Sequence, residues 1–384
     1  MTEPIDVYLD YQSTTPVDPR VLEAMLPYNS QEFGNPHSSD HAWGWRAKKE
    51  VESARESIAA LIGADKNEII FTSGATEANN IAVLGIGRML LEGKKRVLVS
   101  AIEHKSVLNS AFSLANMNCS VELIPVDSSG VIDMAYLRQE LQNGVGLVSV
   151  MAVNNEIGTI QDIGLISSLV HSHGAFFHTD AAQALNCTPL NVNSMDIDLL
   201  SASGHKIYGP KGVGFLYIKH GLTKFMQPIM FGGDQELTLR PGTLPTPLCI
   251  GLGKAASFLA QNRPAEVERI AKLRNLLFEE LSRGIKNLQL IGPSLENRHA
   301  GNLNIAFPGV EAHQLISLLQ PNIAVSTGSA CTSGIPGPSH VLSAIGLNKT
   351  EAESCLRLSV GRFTHANEVI SAARMILNAV KLVV

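Results

Sequence analysis

One lysine stands where covalent chemistry with a carbonyl compound is favoured. The segment SASGHKIYGPKG, residues 201–212, ends a predicted strand and brings Ser203, His205 and Lys206 together in a turn bounded by glycines. A lysine amine held in such a turn is well placed to form a Schiff base. Most lysines lie in water on the protein surface, so this interpretation depends on what the neighbouring motifs supply.

A carboxylate upstream of this lysine supplies the first support. Asp180 ends the predicted strand AFFHTD, and one helical connection and the next strand separate it from Lys206. We therefore expect the two residues to lie side by side on adjacent strand ends. In sites for pyridoxal 5′-phosphate (PLP), a carboxylate keeps the pyridine nitrogen protonated, which lets the ring accept electrons. Asp180 could instead cap a helix beginning at AAQAL.

Two more segments suit the other parts of such a cofactor. In FTSGATEANN a strand runs into a glycine turn and then a helix that starts near Thr76. The free N–H groups of a helix N-terminus, with a hydroxyl, favour a phosphate dianion. His104, in SAIEHKSV at another strand end, is placed to lay its imidazole over a planar ring. Taken alone, the first segment is a capped helix and the second a half-buried loop histidine.

Other cofactor patterns do not fit. The pair Gly85 and Gly87 lacks a third glycine at position 90 and lies within a helical pattern, so it is no dinucleotide fingerprint. The GKA segment, residues 253–255, lacks the Ser or Thr that holds magnesium in a P-loop. His171 and His173 are two apart on a predicted helix and face different sides, so we expect no metal site.

The elements that must position these residues predict an α/β fold. Short β-branched runs alternate with amphipathic helical patterns from about residue 68 to 218, which indicates a mostly parallel sheet flanked by helices. The predicted strands are EIIFT, RVLVS, VELIPV, GLVSVMAV, AFFHTD, DLLSAS and GVGFLYI. Most are followed by turn-forming or polar segments, where sheets of this kind place their ligand-binding loops.

The pattern changes after about residue 251. A long charged helix, PAEVERIAKLRNLLFEELSRG, precedes short strands near NLNIAF and VSTGSA and two closing helices, which indicates a smaller α+β domain. We expect a large domain over residues 16–255 and a small one made of residues 1–15 with 256–384. The segment STGSACTSGIPGPS, residues 326–339, lacks an apolar period and is predicted to be a mobile surface loop.

Composition narrows the class of protein. The 384 residues are 45% hydrophobic, with a net charge of -5, and the longest basic run is KKR, so nucleic acid is not expected as a direct ligand. No apolar run approaches the roughly 18 residues that cross a bilayer, and we expect neither a signal peptide nor a membrane span. The five cysteines are widely spaced without any CxxC, which favours a reducing cytoplasm.

Taken together, these residues carry a family likeness. The chain resembles the NifS/IscS-type cysteine desulfurases, which are PLP-dependent transferases of fold type I in the class V aminotransferase family. The matching motifs are LDYQSTTPVDPRV, FGNPHSS, FTSGATEANN, EHKSV, VNNEIGTIQDI, HTDAAQ, SGHKIYGPKGVG, RPGTLPTP, STGSACTSG and LRLSVGRF. The pair SGHK and SACTSG is the most specific, because aminotransferase relatives share the first and lack the second.

The resemblance implies a large domain with a seven-stranded sheet and assigns roles around the cofactor. Lys206 would hold PLP covalently and later move protons, Asp180 would face the pyridine nitrogen, and His104 would stack on the ring. The remaining cofactor-binding residues would be Gln183 at the ring hydroxyl, Thr76, Ser203 and His205 at the phosphate, Ala75, Asn155, and Thr243 from the partner subunit of a homodimer with shared active sites.

The resemblance also assigns the sulfur chemistry. Arg357 would bind the carboxylate of L-cysteine together with Asn155 and Asn35, a task that suits a bidentate guanidinium. Cys331 would be the nucleophile, giving L-alanine and a persulfide. A thiol with an ordinary pKa is only a few per cent thiolate at neutral pH, so a neighbour such as His104 is expected to activate it.

Alternatives stay open at this point. The persulfide would pass to a protein acceptor for iron–sulfur cluster assembly, tRNA thiolation or DNA sulfur modification (phosphorothioation), and no motif selects among them. Another PLP enzyme of the same fold, an aminotransferase or a selenocysteine lyase, would share the cofactor site. A non-catalytic sulfur-transfer adaptor would keep only the fold. The chain departs from the family pattern in GGDQELTLRPGT, where Asp234 and Pro241 alter a loop that borders the neighbouring site.

Overall fold

The computed structural model describes residues 7–90, 93–328 and 339–383. Cys331 and most of the predicted loop 326–339 therefore lie outside the described residues. Within the described ranges no helix is both long and apolar enough to cross a membrane.

A seven-stranded sheet forms the centre of the larger part of the molecule, with strands in the order β2-β8-β7-β6-β5-β3-β4. Strand β8 runs antiparallel to both neighbours, while the strands from β7 to β4 are parallel to one another. The bounds are β2 Ile69–Thr72, β3 Arg96–Ser100, β4 Ser120–Ile124, β5 Val145–Ser149, β6 Phe176–Asp180, β7 Leu199–Ser203 and β8 Gly214–Ile218. The predicted α/β fold with a mostly parallel sheet is confirmed.

Helices cover both faces of this sheet. Every residue of β5, β7 and β8 is buried, as expected for strands with a helical layer on each side. The helices are α1 Pro19–Met25, α2 Pro27–Ser30, α3 Ala42–Ile62, α4 Ala75–Met89, α5 Lys105–Ser113, α6 Met134–Leu141 and α7 Ile163–Ser172. Helix α3 ends at Gly63, whose φ of 71° is the left-handed conformation that favours glycine at a helix C-terminus.

The remaining elements form two small sheets with four helices of their own. Strand β10 Asn302–Ala306 pairs antiparallel with β9 Gln289–Leu290 and β12 Cys355–Ser359, and β1 Val7–Tyr8 pairs parallel with β11 Ile323–Ala324. The helices here are α9 Ala312–Leu319, α10 His340–Ala344, α11 Lys349–Glu353 and α12 Ala366–Val383. The two strands expected in this region, near NLNIAF and VSTGSA, have different outcomes. The first is β10, whereas Ser326 in the second makes only an isolated bridge to Arg357.

One helix, α8, belongs to both parts. It spans Thr246–Gly284, so the prediction of a charged helix starting at residue 264 was too short. Pro264 lies inside the helix, where proline removes a backbone donor, and the helix continues because both of its halves pack into a core. Its first half contributes Leu252 and Leu259 to the core under the large sheet, and its second half contributes Leu277 to the core that also buries Leu9. These two cores favour the predicted division of residues 16–255 from 1–15 with 256–384, which stays a prediction.

Candidate active site

A cavity of about 500 Å³ opens beside the carboxyl ends of β6 and β7. Parallel strands bring their carboxyl ends to one edge of the sheet, and the loops that follow them supply most of the lining. The cavity is lined by Gln12, Ser13, Thr14, Ser73, Gly74, Ala75, Thr76, Glu77, His104, Met151, Asn155, Asp180, Ala182, Gln183, Ser203, His205, Lys206, Lys211, Gly212, Gly328 and Arg357. Most residues predicted for the cofactor site therefore line one cavity.

Lys206 and Asp180 lie on neighbouring strands, as the sequence predicts. Asp180 is the last residue of β6 and lies opposite Ser201 of β7, and Lys206 ends the short 3-10 turn Gly204–Lys206 that follows β7. Lys206 Nζ donates to the backbone carbonyls of Gln12 and Ser13, each at 2.6 Å. The N-terminal segment therefore binds the lysine amine through its backbone carbonyls.

The Asp180 carboxylate is 4% exposed and is held on both oxygens. Oδ1 accepts from the backbone N–H of Ala182 at 2.8 Å, and Oδ2 accepts from Asn79 Nδ2 at 2.7 Å. The segment AAQAL after Asp180 forms turns, so the alternative in which Asp180 caps a helix there was wrong. Its position at the cavity wall leaves Asp180 available to a group bound inside.

An anion cradle lies at the start of α4. Gly74 precedes the helix with φ 153°, and within the described residues no side chain caps this N-terminus. A Cβ at Gly74 would lie 3.5 Å from Ser203 Oγ, so the glycine keeps open the space between the helix N–H groups and that hydroxyl. N–H groups that lack a cap favour an anion. Thr76 and His205 line the same cavity.

His205 faces this cradle as a neutral imidazole. Burial lowers the pKa of His205 to about 4, and the cations Lys206 and Lys211 add to this effect. The Nδ1 atom lies 3.0 Å from Thr14 Oγ1. A neutral imidazole that accepts from the threonine hydroxyl keeps its other N–H for an anion, which is consistent with the predicted role at a phosphate.

His104 occupies the N-cap position of α5 and borders the cavity. Its Nδ1 accepts from the backbone N–H of Ser106 at 3.1 Å and lies 2.8 Å from Ser106 Oγ. Burial lowers the pKa of His104, while the nearby Asp180 carboxylate opposes that shift. The imidazole is therefore neutral near pH 7.

Arg357, on β12, brings a guanidinium to the opposite side of the cavity. It is 3% exposed, donates to Asp10 Oδ1 at 2.7 Å and to the carbonyl of Asn155 at 2.8 Å. Its Nε has no hydrogen-bond partner among the described residues although the atom is buried. A buried N–H without a partner is costly, so this donor favours an acceptor from a bound molecule.

Two predicted residues are not among those that line this cavity. Asn35 is exposed and accepts from the N–H of His37 in its own turn. Thr243 is also exposed and lies outside the lining of its own chain's cavity. Thr243 ends the loop GGDQELTLRPGT, which departs from the family pattern. Glu236 anchors this loop through an ion pair with the buried Arg55 at 2.7 Å. Arg240 of the same loop donates to Glu77, in the first turn of α4, at 3.1 Å.

Several residues in or near the cavity wall were missed at the sequence level. Gln12, Ser13 and Thr14 surround Lys206 and His205, and the motif LDYQSTTP contained them without indicating where they fold. Glu156 is buried, accepts from Ser339 Oγ at 2.6 Å, and would lie 3.2 Å from a Cβ on Gly328. The carboxylate thus bonds to Ser339 and lies near Gly328, the two described residues that flank 329–338, a role for which the motif NNEIG gave no signal.

The cysteines within the described residues are poor nucleophiles. Cys119, Cys187, Cys249 and Cys355 are all buried. Burial raises the pKa of Cys187 to about 11 and the pKa of Cys249 and Cys355 to about 12, and it also raises the pKa of Cys119. A thiol of this kind carries almost no thiolate at neutral pH.

Known proteins resemble this chain over nearly its whole length. Residues 7–371 match the family described as aminotransferase class-V. A protein of Ehrlichia chaffeensis named cysteine desulfurase IscS is 46% identical over 378 residues, which are 98% of this chain and 92% of that protein. A solved structure named NifS-like protein has a TM-score of 0.92 at 32% identity, covering 98% of this chain and 100% of that one.

A second solved structure, named SspA in complex with cysteine, has a TM-score of 0.82 at 36% identity and covers 94% of this chain and 100% of that one. The family match, the curated relative and both structures agree with the resemblance carried by the motifs. The chain belongs to the aminotransferase class-V family and, within it, to the cysteine desulfurases.

Proposed function

We propose that this cysteine desulfurase binds PLP in the cavity around Lys206 and transfers the sulfur of L-cysteine to Cys331. One observation carries the proposal. Lys206, the buried Asp180 carboxylate and the uncapped N-terminus of α4 line the same cavity. An amine, a carboxylate and an anion cradle are the partners that PLP requires for its aldehyde, its pyridine nitrogen and its phosphate.

The residues present fit this cofactor. The uncapped α4 N-terminus with Ala75, Thr76, Ser203 and His205 would hold the phosphate, Asp180 the pyridine nitrogen and Gln183 the ring hydroxyl, with His104 and Asn155 beside the ring. When bound, PLP withdraws electrons from the α-carbon of an attached amino acid. Gln183 Nε2 donates to the carbonyl of Gln12 at 2.9 Å, which fixes its amide at the cavity wall.

The substrate would be oriented by Arg357. Its buried Nε, unpaired within the described residues, offers an N–H to the substrate carboxylate, and the Asp10 contact holds the guanidinium in place. Asn155 is the second predicted contact for this carboxylate and also lines the cavity. A carboxylate fixed here would leave the substrate sulfur free to face the incoming thiol. Lys206 Nζ is the predicted group that moves the proton of the α-carbon.

The sulfur step would break the carbon–sulfur bond of L-cysteine and form a sulfur–sulfur bond to Cys331. The thiolate of Cys331 attacks the substrate sulfur, the electron pair of the broken bond stays with the substrate carbon, and a proton there completes L-alanine. Cysteine and a thiol thus become alanine and a persulfide, with no external oxidant. The raised thiol pKa of Cys187, Cys249 and Cys355 supports Cys331 by making those cysteines poor acceptors.

Assembly as a homodimer with shared active sites is part of the proposal. Thr243 is exposed in its own chain, and Phe231, in the same loop region, is 85% exposed. A large apolar side chain exposed to this degree favours coverage by another surface, and a second copy would bring Thr243 to the phosphate of the neighbouring site. The persulfide would then pass to a protein acceptor for iron–sulfur cluster assembly, tRNA thiolation or DNA sulfur modification.

Product analysis tests the proposed reaction. The protein supplied with PLP, L-cysteine and a reducing thiol should release alanine and sulfide in equal amounts, and the protein freed of PLP should release neither. Formation of a keto acid in place of alanine would contradict the proposal, since it would indicate transamination of the amino group.

A further inference from the structure

Two side chains, Asn79 and Ser106, join the Asp180 carboxylate to the His104 imidazole behind the cavity wall. Asn79 Nδ2 donates to Asp180 Oδ2 at 2.7 Å and to Ser106 Oγ at 2.8 Å. Ser106 Oγ lies 2.8 Å from His104 Nδ1. Asn79 is 0% exposed and Ser106 is 9% exposed, so water has little access to these contacts.

The direction of both Asn79 hydrogen bonds is fixed by chemistry. A carboxylate only accepts, so the Asn79 atom facing Asp180 must be the amide nitrogen. Both hydrogens of that nitrogen are then used, one by Asp180 and one by Ser106 Oγ. Because Ser106 Oγ accepts from Asn79, its own hydrogen is available to His104 Nδ1.

The backbone of α5 fixes the histidine independently. The N–H of Ser106 can only donate, and it points at His104 Nδ1 from 3.1 Å. Nδ1 therefore carries the lone pair, and the proton of the neutral imidazole is on Nε2. The hydroxyl and the backbone N–H of Ser106 thus favour the same tautomer. Nε2 makes no hydrogen bond to any part of the chain that the structure describes, and His104 lines the cavity.

We infer that Asn79 and Ser106 are positioning residues that hold His104 as the Nε2–H tautomer, so that His104 faces the reacting atoms as a proton donor. This role in the reaction rests on the proposed function. An imidazole in this tautomer offers a proton at Nε2 and has no lone pair there with which to remove one from a thiol. The predicted activation of Cys331 by His104 would need the opposite tautomer, which loses the contact with the Ser106 backbone N–H and reverses the contact with the Ser106 hydroxyl.

Charged and titratable groups from several elements act on this imidazole. The Asp180 carboxylate favours the protonated imidazolium, while burial, first of all, and the neighbours Lys206, His340 and Lys105 disfavour it. Glu103 precedes His104 and is buried, and its pKa is raised well above the usual range by burial and by Asp180. The groups that act on His104 are Asp180 on β6, Lys206 after β7, His340 on α10 and the adjacent Lys105, whereas the Glu103 carboxylate accepts from the backbone N–H of Met151.

Nitrogen-15 NMR of the cofactor-free protein tests the inference without use of the enzyme reaction. Histidine-labelled protein near neutral pH should show His104 Nδ1 as an unprotonated nitrogen and Nε2 as a protonated one. His104→Asn identifies the resonance among the 12 histidines by its loss. A protonated Nδ1 would overturn the inference.

Titration of the same resonance tests the two positioning residues. Ser106→Ala removes the hydroxyl that donates to the unprotonated Nδ1. Protonation of Nδ1 then becomes easier, so the acid dissociation constant of His104 should fall about three- to tenfold. Asn79→Ala frees the Ser106 hydroxyl to rotate and should shift the constant in the same direction by a smaller factor. Asn109→Ala, at an exposed position of the same helix, should leave it unchanged. Equal constants in wild type and Ser106→Ala would contradict the inference.

The reaction itself supplies a second readout. In the PLP-loaded enzyme, Ser106→Ala should move the His104-dependent limb of the kcat/KM pH profile to higher pH by the same factor as the NMR titration. If NMR shows the Nε2–H tautomer and neither wild type nor any variant forms alanine, the proposed function fails and the tautomer assignment stands. If alanine forms and the NMR titration of Ser106→Ala matches wild type, the positioning role fails and the proposed function stands.

Discussion

Arg357 donates to Asp10 Oδ1 at 2.7 Å in a contact that joins β12 to the chain just after β1, residues far apart in sequence. The pair holds the guanidinium 3% exposed at the cavity, with Nε still lacking a partner among the described residues. A buried guanidinium with such a donor is a selective site for a carboxylate, because a charge-assisted hydrogen bond from Nε is stronger than one to a neutral acceptor.

Arg357→Lys should weaken the binding of L-cysteine and leave PLP bound. A lysine can keep a contact with Asp10 but cannot present a planar fork, so a charge-assisted hydrogen bond worth about 1.5 to 3 kcal/mol is lost. We expect the KM for cysteine to rise roughly ten- to a hundredfold, as measured from initial rates of alanine release. Arg374→Lys, at an exposed position of α12, is the matched control. An unchanged KM in Arg357→Lys would assign the substrate carboxylate to another residue.

Lys206 should be the lysine that carries PLP. The purified protein should be yellow, and borohydride reduction should fix the cofactor to the peptide containing Lys206. Lys211 lines the same cavity and is the natural competitor. Peptide mass spectrometry of wild type, Lys206→Ala and Lys211→Ala separates the two, since fixation should be lost in Lys206→Ala alone. Reduced cofactor on the Lys211 peptide would show that the assignment is wrong.

Thr243 should act on the active site of a second copy. Thr243→Asp would place a negative charge at the neighbouring phosphate and weaken PLP binding there. Lys206→Ala and Thr243→Asp homodimers should both be inactive. A mixed dimer would gather both defects in one site, so activity should return on mixing, up to about half of normal per mixed dimer.

The measurement for Thr243 is alanine release by differently tagged subunits that are purified as mixed dimers. Mixed dimers without activity would show that Thr243 acts within its own chain or has no part in the site.

His299 should make folding sensitive to acid. It is buried, its Nδ1 accepts from the N–H of Gly301 at 3.1 Å, and burial lowers its pKa to about 4. The unfolded chain, with an ordinary histidine pKa of about 6.5, binds the proton first as the pH falls. The contribution of neutral His299 to stability is therefore present above about pH 6.5 and declines by about 1.4 kcal/mol per pH unit down to about pH 4.

The thermal unfolding midpoint of the cofactor-free protein measures this effect between pH 4 and 7. The advantage of wild type over His299→Gln should shrink as the pH is lowered, because glutamine carries no such titration. His313→Gln, at an exposed position of α9, controls for the loss of a histidine as such. A difference between wild type and His299→Gln that stays constant with pH would contradict the expectation.

Local sequence patterns were enough for the sheet and for part of the site. The strands β2 to β8 were predicted because each is a short apolar run bounded by turn-forming residues. The adjacency of Lys206 and Asp180 followed from the rule that parallel strands end at one edge of a sheet. Both features depend on residues close in sequence or on a general rule of topology.

Other features depend on contacts that no local pattern records. The carbonyls of Gln12 and Ser13 lie under Lys206 only after the N-terminal segment crosses the sheet edge. Asn79 occupies a buried position of an ordinary amphipathic helix, so its bonds to Asp180 and Ser106 are visible only in three dimensions. Helix α8 continues through Pro264 because tertiary packing on both sides outweighs the local cost of proline.

Persulfide mapping tests the central claim most directly. The PLP-loaded protein is mixed with L-cysteine without a reducing thiol, alkylated and digested, and each cysteine-containing peptide is examined by mass spectrometry. The extra sulfur should appear on the Cys331 peptide, with one alanine released per persulfide. Cys331→Ala should keep its yellow colour, change colour with cysteine, and form neither persulfide nor more than a trace of alanine, whereas Cys355→Ala should match wild type. A persulfide on Cys355 or another buried cysteine, or full alanine release by Cys331→Ala, would contradict the assignment of Cys331 as the sulfur acceptor.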